Sequence, residues 1–196
     1  KGMQIKLVKL NDRTLKYNYD GLKLKVLLDR MYSSKESYTI EIDYVSSPND
    51  IEVKEGKAIT SDKGLYFINP SGRDKNKMPQ IWTQGETESN SVWFPTIDAQ
   101  NAKSSQEIYI TVKDKYKTLS NGIFKGSKSY IKGYRTDHWE QKKPHAPYLF
   151  MMAIGEFVEV KDFYKRKDGS KMEVSYFVEK EYEKYAKDIF GETPNM

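Results

Sequence analysis

Very few side chains in this chain of 196 residues have the types and spacing that catalysis needs. Cysteine is absent, which excludes thiolate nucleophiles, disulfide bonds and sulfur ligands for zinc. The two histidines, His138 and His145, lack the i, i+4 spacing that directs two imidazoles of a helix at one metal ion. We expect both to be hydrogen-bonded or exposed loop side chains. No metal site is predicted in this chain, and no serine lies in the Gly-x-Ser-x-Gly turn of a hydrolase.

A pair of carboxylates, Glu86 and Glu88, lies in an unusual segment, residues 79–98, which also contains two tryptophans and a glycine. Paired carboxylates can act as general acid and base, but a chain with 28 acidic residues contains such pairs by chance. Residue types alone favour a simpler interpretation of the segment. In this interpretation, a core strand with Ile81 and Trp82 inward is followed by a polar surface loop. On these grounds the sequence describes no complete active site.

Strands must position these residues, because apolar and polar side chains alternate along most of the chain. The alternating segments are residues 22–28, 38–44, 108–112 and 172–178. The longer apolar stretch from Tyr148 to Val160 predicts a central strand buried between two layers. Turn-forming pairs, among them Asp20-Gly21, Asn121-Gly122 and Asp168-Gly169, separate the strands. Short strands joined by tight turns predict antiparallel sheets and an all-β fold.

The last residues of the chain change to a helical period. Four apolar residues share one helical face: Tyr182, Tyr185, Ala186 and Ile189. Gly191, followed by Pro194, supplies the expected stop. We therefore expect residues 1–180 to form a β domain and residues 181–196 to begin the next domain. Because the chain starts at Lys1 without a signal sequence and stops just after this helix, we expect an excised domain.

Charge gives little indication of a polyanionic partner. Lysine and arginine number 33 against 28 acidic residues, a net charge of +5, and the two signs alternate along the chain. The densest basic cluster, residues 165–171, is interrupted by a turn signal and is interpreted as a solvated hairpin tip. We therefore expect no nucleic-acid partner. No apolar run approaches the roughly 20 residues of a membrane-spanning helix, so no membrane span is predicted.

Several segments resemble the amino-terminal domain of the aminopeptidase N family, gluzincin-type zinc metallopeptidases, in its bacterial subtype. Five segments have this resemblance: Gly64-Leu65-Tyr66-Phe67, Thr83-Gln84-Gly85-Glu86, Trp93-Phe94-Pro95-Thr96-Ile97-Asp98, Thr118-Leu119-Ser120-Asn121-Gly122 and residues 147–157. The second of these is similar to the substrate loop of the family, and the last to its signature strand with an Ala-x-Gly-x-Phe pattern. The resemblance extends from about Gly64 to Met196.

The resemblance implies a twisted, saddle-like antiparallel β-sandwich, followed by the first helix of a catalytic domain. The zinc motif His-Glu-x-x-His and the Gly-x-Met-Glu-Asn motif of the family are both missing from this chain. The implied parent is a zinc aminopeptidase that removes N-terminal residues from peptides. Zinc and all catalytic residues would then belong to the downstream catalytic domain, and this chain alone would be inactive. By analogy, the resemblance also suggests a periplasmic or cell-surface location.

The resemblance assigns a substrate-binding role to three residues. Glu86 occupies the family position whose side chain reaches into the catalytic cleft and receives the free α-ammonium group of the substrate. Gln84 and the backbone at Gly85 would line the same wall. Gly85 stands where many relatives have cysteine or another small residue, which preserves a close backbone approach. A charge-assisted hydrogen bond to an ammonium group contributes roughly 1.5–3 kcal/mol and disfavours internal peptide segments, which have no such group.

Two other classes of function stay open at this point. The first is a binding module, in which some of the 15 tyrosines and 3 tryptophans lie exposed on a β-sandwich and bind carbohydrate or protein. The second is a scaffold that only packs against a neighbouring domain, including the scaffold of a pseudo-peptidase that has lost its zinc ligands. The first class requires glycan binding by the chain alone. The second requires Glu86 to be an ordinary surface acid.

Overall fold

The computed structural model describes residues 2–50 and 63–196. Their contacts divide them into two compact units, which are described one at a time. The first unit contains residues 2–50, 63–66, 83–106 and 142–151. The second unit contains residues 67–82, 107–141 and 152–196. Within the described residues, no helix is long and apolar enough to cross a membrane.

Strands make up most of the regular structure of the described residues. They are β1 (Met3–Leu10), β2 (Arg13–Thr14), β3 (Tyr17–Tyr19), β4 (Leu24–Val26), β5 (Ile40–Ser46), β6 (Leu65–Ile68), β7 (Gln80–Thr83), β8 (Ser104–Lys113), β9 (Lys117–Ser120), β10 (Ile123–Ile131), β11 (Tyr134–His145), β12 (Met152–Gly155), β13 (Val158–Lys165) and β14 (Lys171–Val178). A short α-helix, α1, follows at Ala186–Phe190. Single turns of 3-10 helix lie at Pro48–Asp50, Asn90–Val92, Pro147–Leu149 and Thr193–Asn195, and a longer one lies at Lys180–Tyr185. The predicted all-β fold class is confirmed.

The first unit is built on a three-stranded sheet with the order β2-β1-β5 and on the β3–β4 hairpin. Strand β1 pairs antiparallel with both of its neighbours. Its alternate residues Val8 and Leu10 point into a core that Leu15 completes, so the period of two found in the sequence directs the packing. The predicted strand at 22–28 is shorter than expected. The Asp20 carboxylate accepts hydrogen bonds from the amides of Leu22 and Lys23, which holds Leu22 in the turn and leaves it exposed.

Most residues of two further sheets belong to the second unit. The first sheet has the order β10-β11-β8, and the second has the order β6-β7-β12-β9. Their shared core contains Ile110, Val112, Trp139 and Ile154. The β13–β14 hairpin pairs residue by residue from Val158 opposite Val178 to Lys165 opposite Lys171. The basic cluster at 165–171 forms the tip of this hairpin, as predicted.

The prediction of one long central strand from Tyr148 to Val160 is wrong. The chain instead forms a 3-10 turn at Pro147–Leu149, then β12, and then β13 after a break at residues 156–157. Pro147 begins the turn because its ring fixes φ near the helical value, and the Phe150 amide donates to the Pro147 carbonyl at 3.0 Å. The predicted burial holds for Phe150 and Ile154 but not for Leu149, which is 48% exposed, and apolar residues on both faces did not show where the backbone turns.

The C-terminal helix is confirmed, although it is shorter than the apolar period suggested. Residues Lys180–Tyr185 form 3-10 helix, and only Ala186–Phe190 are α-helical. The stop is where it was predicted, because α1 ends at Phe190 and Gly191 is its C-cap, although Gly191 keeps a right-handed φ of −64° and its amide donates to the Lys187 carbonyl at 2.8 Å. The ring of Phe190 stacks on Tyr176 of β14 with centroids 5.5 Å apart. This contact orders the last turn of the helix.

Candidate functional site

The three residues that the resemblance selected lie together at the end of β7. Gln84, Gly85 and Glu86 line one side of a small cavity of about 220 Å³ in the first unit. The segment Tyr148–Met151 lines the other side. The Glu86 carboxylate is exposed, and among the described residues it has no hydrogen-bonding or ion-pairing partner. Its charge is therefore available to a ligand at the edge of the cavity.

Gly85 allows the two sides of the cavity to approach closely. A Cβ atom at this position would lie 2.6 Å from Cγ of Asn90 and closer still to Nδ2 of Asn90 and the carbonyl oxygen of Tyr148. Real Cβ atoms do not approach other atoms this closely, so only glycine fits this backbone. The predicted close backbone approach at Gly85 is thus present in the structure.

The backbone on both sides of Gly85 is held by hydrogen bonds. The Gln84 amide donates to the Gly64 carbonyl at 2.9 Å, and the Ser89 amide donates to the Gly85 carbonyl at 2.9 Å. Gly64 has a φ of +63°, and a Cβ atom there would overlap the carbonyl of Ser89. The peptide bond between Glu86 and Thr87 is cis. Glu86, Thr87 and Glu88 are the exposed tip of a loop whose two ends are fixed.

Asn90 connects this loop to the opposite side of the cavity. Its side chain is fully buried, and Nδ2 donates to the carbonyl oxygens of Pro147 at 2.6 Å and Phe150 at 2.8 Å. Its Oδ1 accepts a hydrogen bond from the indole Nε1 of Trp93 at 2.7 Å. These three bonds use the full donor capacity of the amide and one lone pair of its oxygen. Sequence reasoning did not identify Asn90.

Aromatic side chains that follow the loop pack against each other and against Phe150. Phe94 stacks on Phe150 with centroids 5.2 Å apart, and Trp93 meets Phe94 edge-on at 4.5 Å. The Ser46 hydroxyl donates to the Val92 carbonyl at 2.7 Å and anchors the segment to β5. The interpretation of residues after Trp82 as a polar surface loop is therefore wrong. Only the tip is on the surface, and the part that contains Ser89, Asn90 and Val92 is buried.

Both histidines lie on β11, so the prediction that they are loop side chains is wrong. His138 stacks on Tyr109 with centroids 4.2 Å apart, and its Nε2 lies 3.1 Å from a carboxylate oxygen of Glu107. The ring of His145 packs against Phe150, and its Nδ1 lies 3.3 Å from the Lys143 carbonyl oxygen. Residues 2–50 and 63–196 contain no group of three histidine, cysteine or acidic side chains arranged to hold a metal ion. The described residues therefore do not fit a zinc centre.

An ion pair in the second unit, between the half-buried Arg135 and the buried Asp137, was also missed at the sequence level. Arg135 donates through Nε and Nη2 to the carboxylate of Asp137, each at 2.9 Å, and Ser127 and Thr118 donate to the same carboxylate. Burial opposes the ionisation of Asp137, but these donors outweigh it and hold the pKa of the carboxyl below its ordinary value. The Nη1 of Arg135 also donates to the Asp114 carbonyl, so the pair fixes a neighbouring turn. All four lone-pair directions of Asp137 are used, which indicates a structural role.

Residues 3–149 match the family described as the peptidase M1 N-terminal domain. The fold is also similar to solved structures. One is that of Legionella pneumophila aminopeptidase A in complex with aspartic acid, with a TM-score of 0.73 and 18% identity over 92% of this chain and 19% of the other. Another is a mutant M1 zinc metallopeptidase from Deinococcus radiodurans bound to a Tyr-Ser-Ala substrate, with a TM-score of 0.73 and 15% identity over 90% of this chain and 37% of the other.

These comparisons agree with the all-β fold and with the resemblance found in the sequence. The chain spans about a fifth of the first similar structure and somewhat over a third of the second. At such low identity, the structural likeness supports the fold alone. The family match includes the loop with Gln84, Gly85 and Glu86 and the turn that faces it across the cavity. The chain belongs to the peptidase M1 N-terminal domain family.

Proposed function

We propose that this chain is the amine-binding N-terminal domain of a zinc aminopeptidase that removes N-terminal residues from peptides. The single observation that carries the proposal is the Glu86 carboxylate. It lies exposed and unpaired among the described residues, at the edge of a cavity, on a loop whose two ends are fixed. A carboxylate so placed can accept hydrogen bonds from an α-ammonium group.

An aminopeptidase must cleave the peptide bond that lies one residue from the N-terminus of its substrate. A carboxylate at a fixed position selects the chain end, because it binds the charged α-ammonium group of the substrate. An internal segment has no such group for the carboxylate to bind. One charge-assisted hydrogen bond of this kind contributes roughly 1.5–3 kcal/mol in a partly desolvated site. Gln84 and the backbone at Gly85 line the same wall and would confine the first residue of the substrate.

The rest of the enzyme is proposed to lie outside this chain. Residues 1–180 would form the accessory β domain, and residues 181–196 would begin the catalytic domain, which is the main partner of this one. Zinc and its ligands are assigned to that domain, because the described residues do not fit a metal centre. The similar proteins are described as an aminopeptidase with aspartic acid and a zinc metallopeptidase with a peptide substrate, which supports this division.

The proposal is tested by kinetics of the full-length parent protein. Glu86→Ala should lower kcat/KM for unblocked peptides by about tenfold to a hundredfold through loss of amine binding. Glu88→Ala is the matched control, because Glu88 is also exposed in the same loop but does not line the cavity. Equal kinetics for the two variants would refute the role of Glu86. The 196-residue chain alone should have no chelator-sensitive peptidase activity.

The two alternative classes give different results in the same experiments. A scaffold, or the accessory domain of a pseudo-peptidase, would leave Glu86→Ala without effect and would be accompanied by a downstream sequence without His-Glu-x-x-His. A glycan-binding module would retain its binding in the isolated chain.

A further inference from the structure

We infer that Asn90 is a positioning residue, which sets the width of the amine-binding cavity and the location of Glu86 within it. This inference rests on the proposed function of Glu86 and assigns a role to a residue that touches no substrate. Asn90 is fully buried, whereas Glu86 is exposed at the tip of the same loop. The role therefore has to be carried by contacts of the Asn90 amide with the two walls of the cavity.

The first contact is with the wall that contains Glu86. The Asn90 amide lies directly against Gly85, the residue before Glu86, so closely that a Cβ atom on Gly85 would overlap Nδ2 and Cγ. The hydrogen bond from the Ser89 amide to the Gly85 carbonyl closes the turn between them. Gly85 cannot move toward Asn90 without displacing the Asn90 amide. The amide thus limits the movement of the backbone that carries Glu86.

The second contact is with the opposite wall. Nδ2 of Asn90 donates to the carbonyls of Pro147 and Phe150, which stand at the two ends of the turn facing the loop. Tyr148 and Leu149, between these carbonyls, line the cavity. One side chain therefore binds the backbone of one wall and packs on the backbone of the other. The separation of the walls follows from the size and hydrogen bonding of this amide.

Only asparagine satisfies this environment. Two carbonyl oxygens require two donors from one nitrogen, and the indole N–H of Trp93 requires an acceptor, which a carboxamide of this length supplies together. Aspartate would place carboxylate oxygen against two carbonyl oxygens, and leucine would leave all three partners unsatisfied in a buried site. The orientation of the amide is fixed by the indole, because the bond from Trp93 distinguishes the oxygen from the nitrogen.

The inference is tested in the full-length parent by a double-mutant cycle between Asn90 and Glu86. Asn90→Asp preserves the size of the side chain and removes both donors. In the presence of Glu86, it should lower kcat/KM for unblocked peptides roughly tenfold to a hundredfold, as expected when a binding group is displaced by about 1 Å. In the Glu86→Ala background, the same substitution should change kcat/KM less than about threefold, because the group that it positions is absent.

A purely structural role gives a different pattern. If Asn90→Asp lowers kcat/KM by the same factor with and without Glu86, or does not lower it in either background, the inference is wrong. Leu10→Ala is a matched control for general destabilisation, because Leu10 is buried in the core of the same unit and does not line the cavity. It should lower the melting temperature and leave kcat/KM unchanged at temperatures well below melting.

Trp93→Phe replaces Asn90→Asp if the latter does not fold. It keeps an aromatic ring at this position but removes the bond that orients the Asn90 amide. The expected pattern is the same, with a smaller loss that again requires Glu86. The failure of the proposed function is recognised separately, because Glu86→Ala alone would then have no effect. If Glu86→Ala has no effect, both the proposed function and this inference are wrong. If Glu86→Ala has a large effect that is not coupled to Asn90 or Trp93, only this inference is wrong.

Discussion

Substitution of Gly85 by alanine should destabilise the chain strongly, although it adds only one methyl group. The new Cβ would lie 2.6 Å from Cγ of Asn90 and closer to the carbonyl oxygen of Tyr148, and neither of these atoms is the free end of a flexible side chain. Asn90 is held by its hydrogen bonds to Pro147 and Phe150, so the overlap is relieved only by lengthening these bonds or by moving backbone.

Two costs determine the size of this destabilisation, overpacking and the weakening of the Asn90 hydrogen bonds. Overpacking of a tight interior costs about 1–3 kcal/mol, and each weakened hydrogen bond of Asn90 costs about 0.5–1.5 kcal/mol. A loss of about 3 kcal/mol corresponds to a fall in melting temperature of about 6–12 °C for a chain of this size. In the full-length parent, the widened cavity should also lower kcat/KM for unblocked peptides, since Glu86 is the next residue.

The assay is thermal unfolding followed by near-ultraviolet circular dichroism at pH 7. Gly21→Ala is the matched control, because Gly21 lies in the same unit with a φ of +88°. A Cβ atom at Gly21 would have no neighbour within 4 Å. Alanine there meets only the cost of the left-handed conformation, about 1 kcal/mol, or about 2–4 °C. If Gly85→Ala melts within about 2 °C of Gly21→Ala, steric contact with Asn90 and Tyr148 contributes nothing to the loss of stability, contrary to this prediction.

Three further outcomes are expected. Asp137→Asn should lower the free energy of unfolding in urea by about 3 kcal/mol, because it leaves the Arg135 guanidinium without its partner; a loss below about 1 kcal/mol would contradict the account of this pair. The folded-state pKa of Asp137 is lowered, so its stabilisation is complete above the ordinary aspartate pKa of about 4 and is lost as pH falls toward the folded value; the stability difference between wild type and Asp137→Asn should therefore shrink on acidification below about pH 4, and a difference that grows would be inconsistent. Treatment with a metal chelator should leave the melting temperature of the chain unchanged, and stoichiometric zinc found after dialysis would show a metal site that the described residues lack.

Strand periodicity was the most informative signal in the sequence. The segments at 108–112 and 172–178 became parts of β8 and β14 because the alternation of side chains is a local property of an extended backbone. The prediction of one strand over residues 148–160 failed because apolar residues on both faces give no information on where the chain turns. Pro147, at the start of the turn, and Gly155, the last residue of β12 before the break, were local signs, but they lie among apolar residues that favoured one continuous strand.

The candidate site was predictable only through its resemblance to a family. Gln84, Gly85 and Glu86 have no distinctive spacing, and residue types alone favoured a polar surface loop. The loop is buried up to its tip because Asn90 finds its hydrogen-bond partners 57 and 60 positions away along the chain. Such partners are set by the tertiary fold, so no local pattern around Asn90 could have revealed them. The same holds for Asp137 and Thr118, which meet only when their strands come together.

The most direct test of the central claim is a comparison of two competitive inhibitors of the full-length parent that differ only in the presence of the α-amino group. Wild-type protein and Glu88→Ala should bind the amine-containing inhibitor about tenfold to a hundredfold more tightly than its partner, as a bond of roughly 1.5–3 kcal/mol requires. Glu86→Ala should bind the two with nearly equal inhibition constants. If Glu86→Ala keeps the full preference for the amine, Glu86 does not bind the substrate N-terminus and the proposed role of this domain is contradicted.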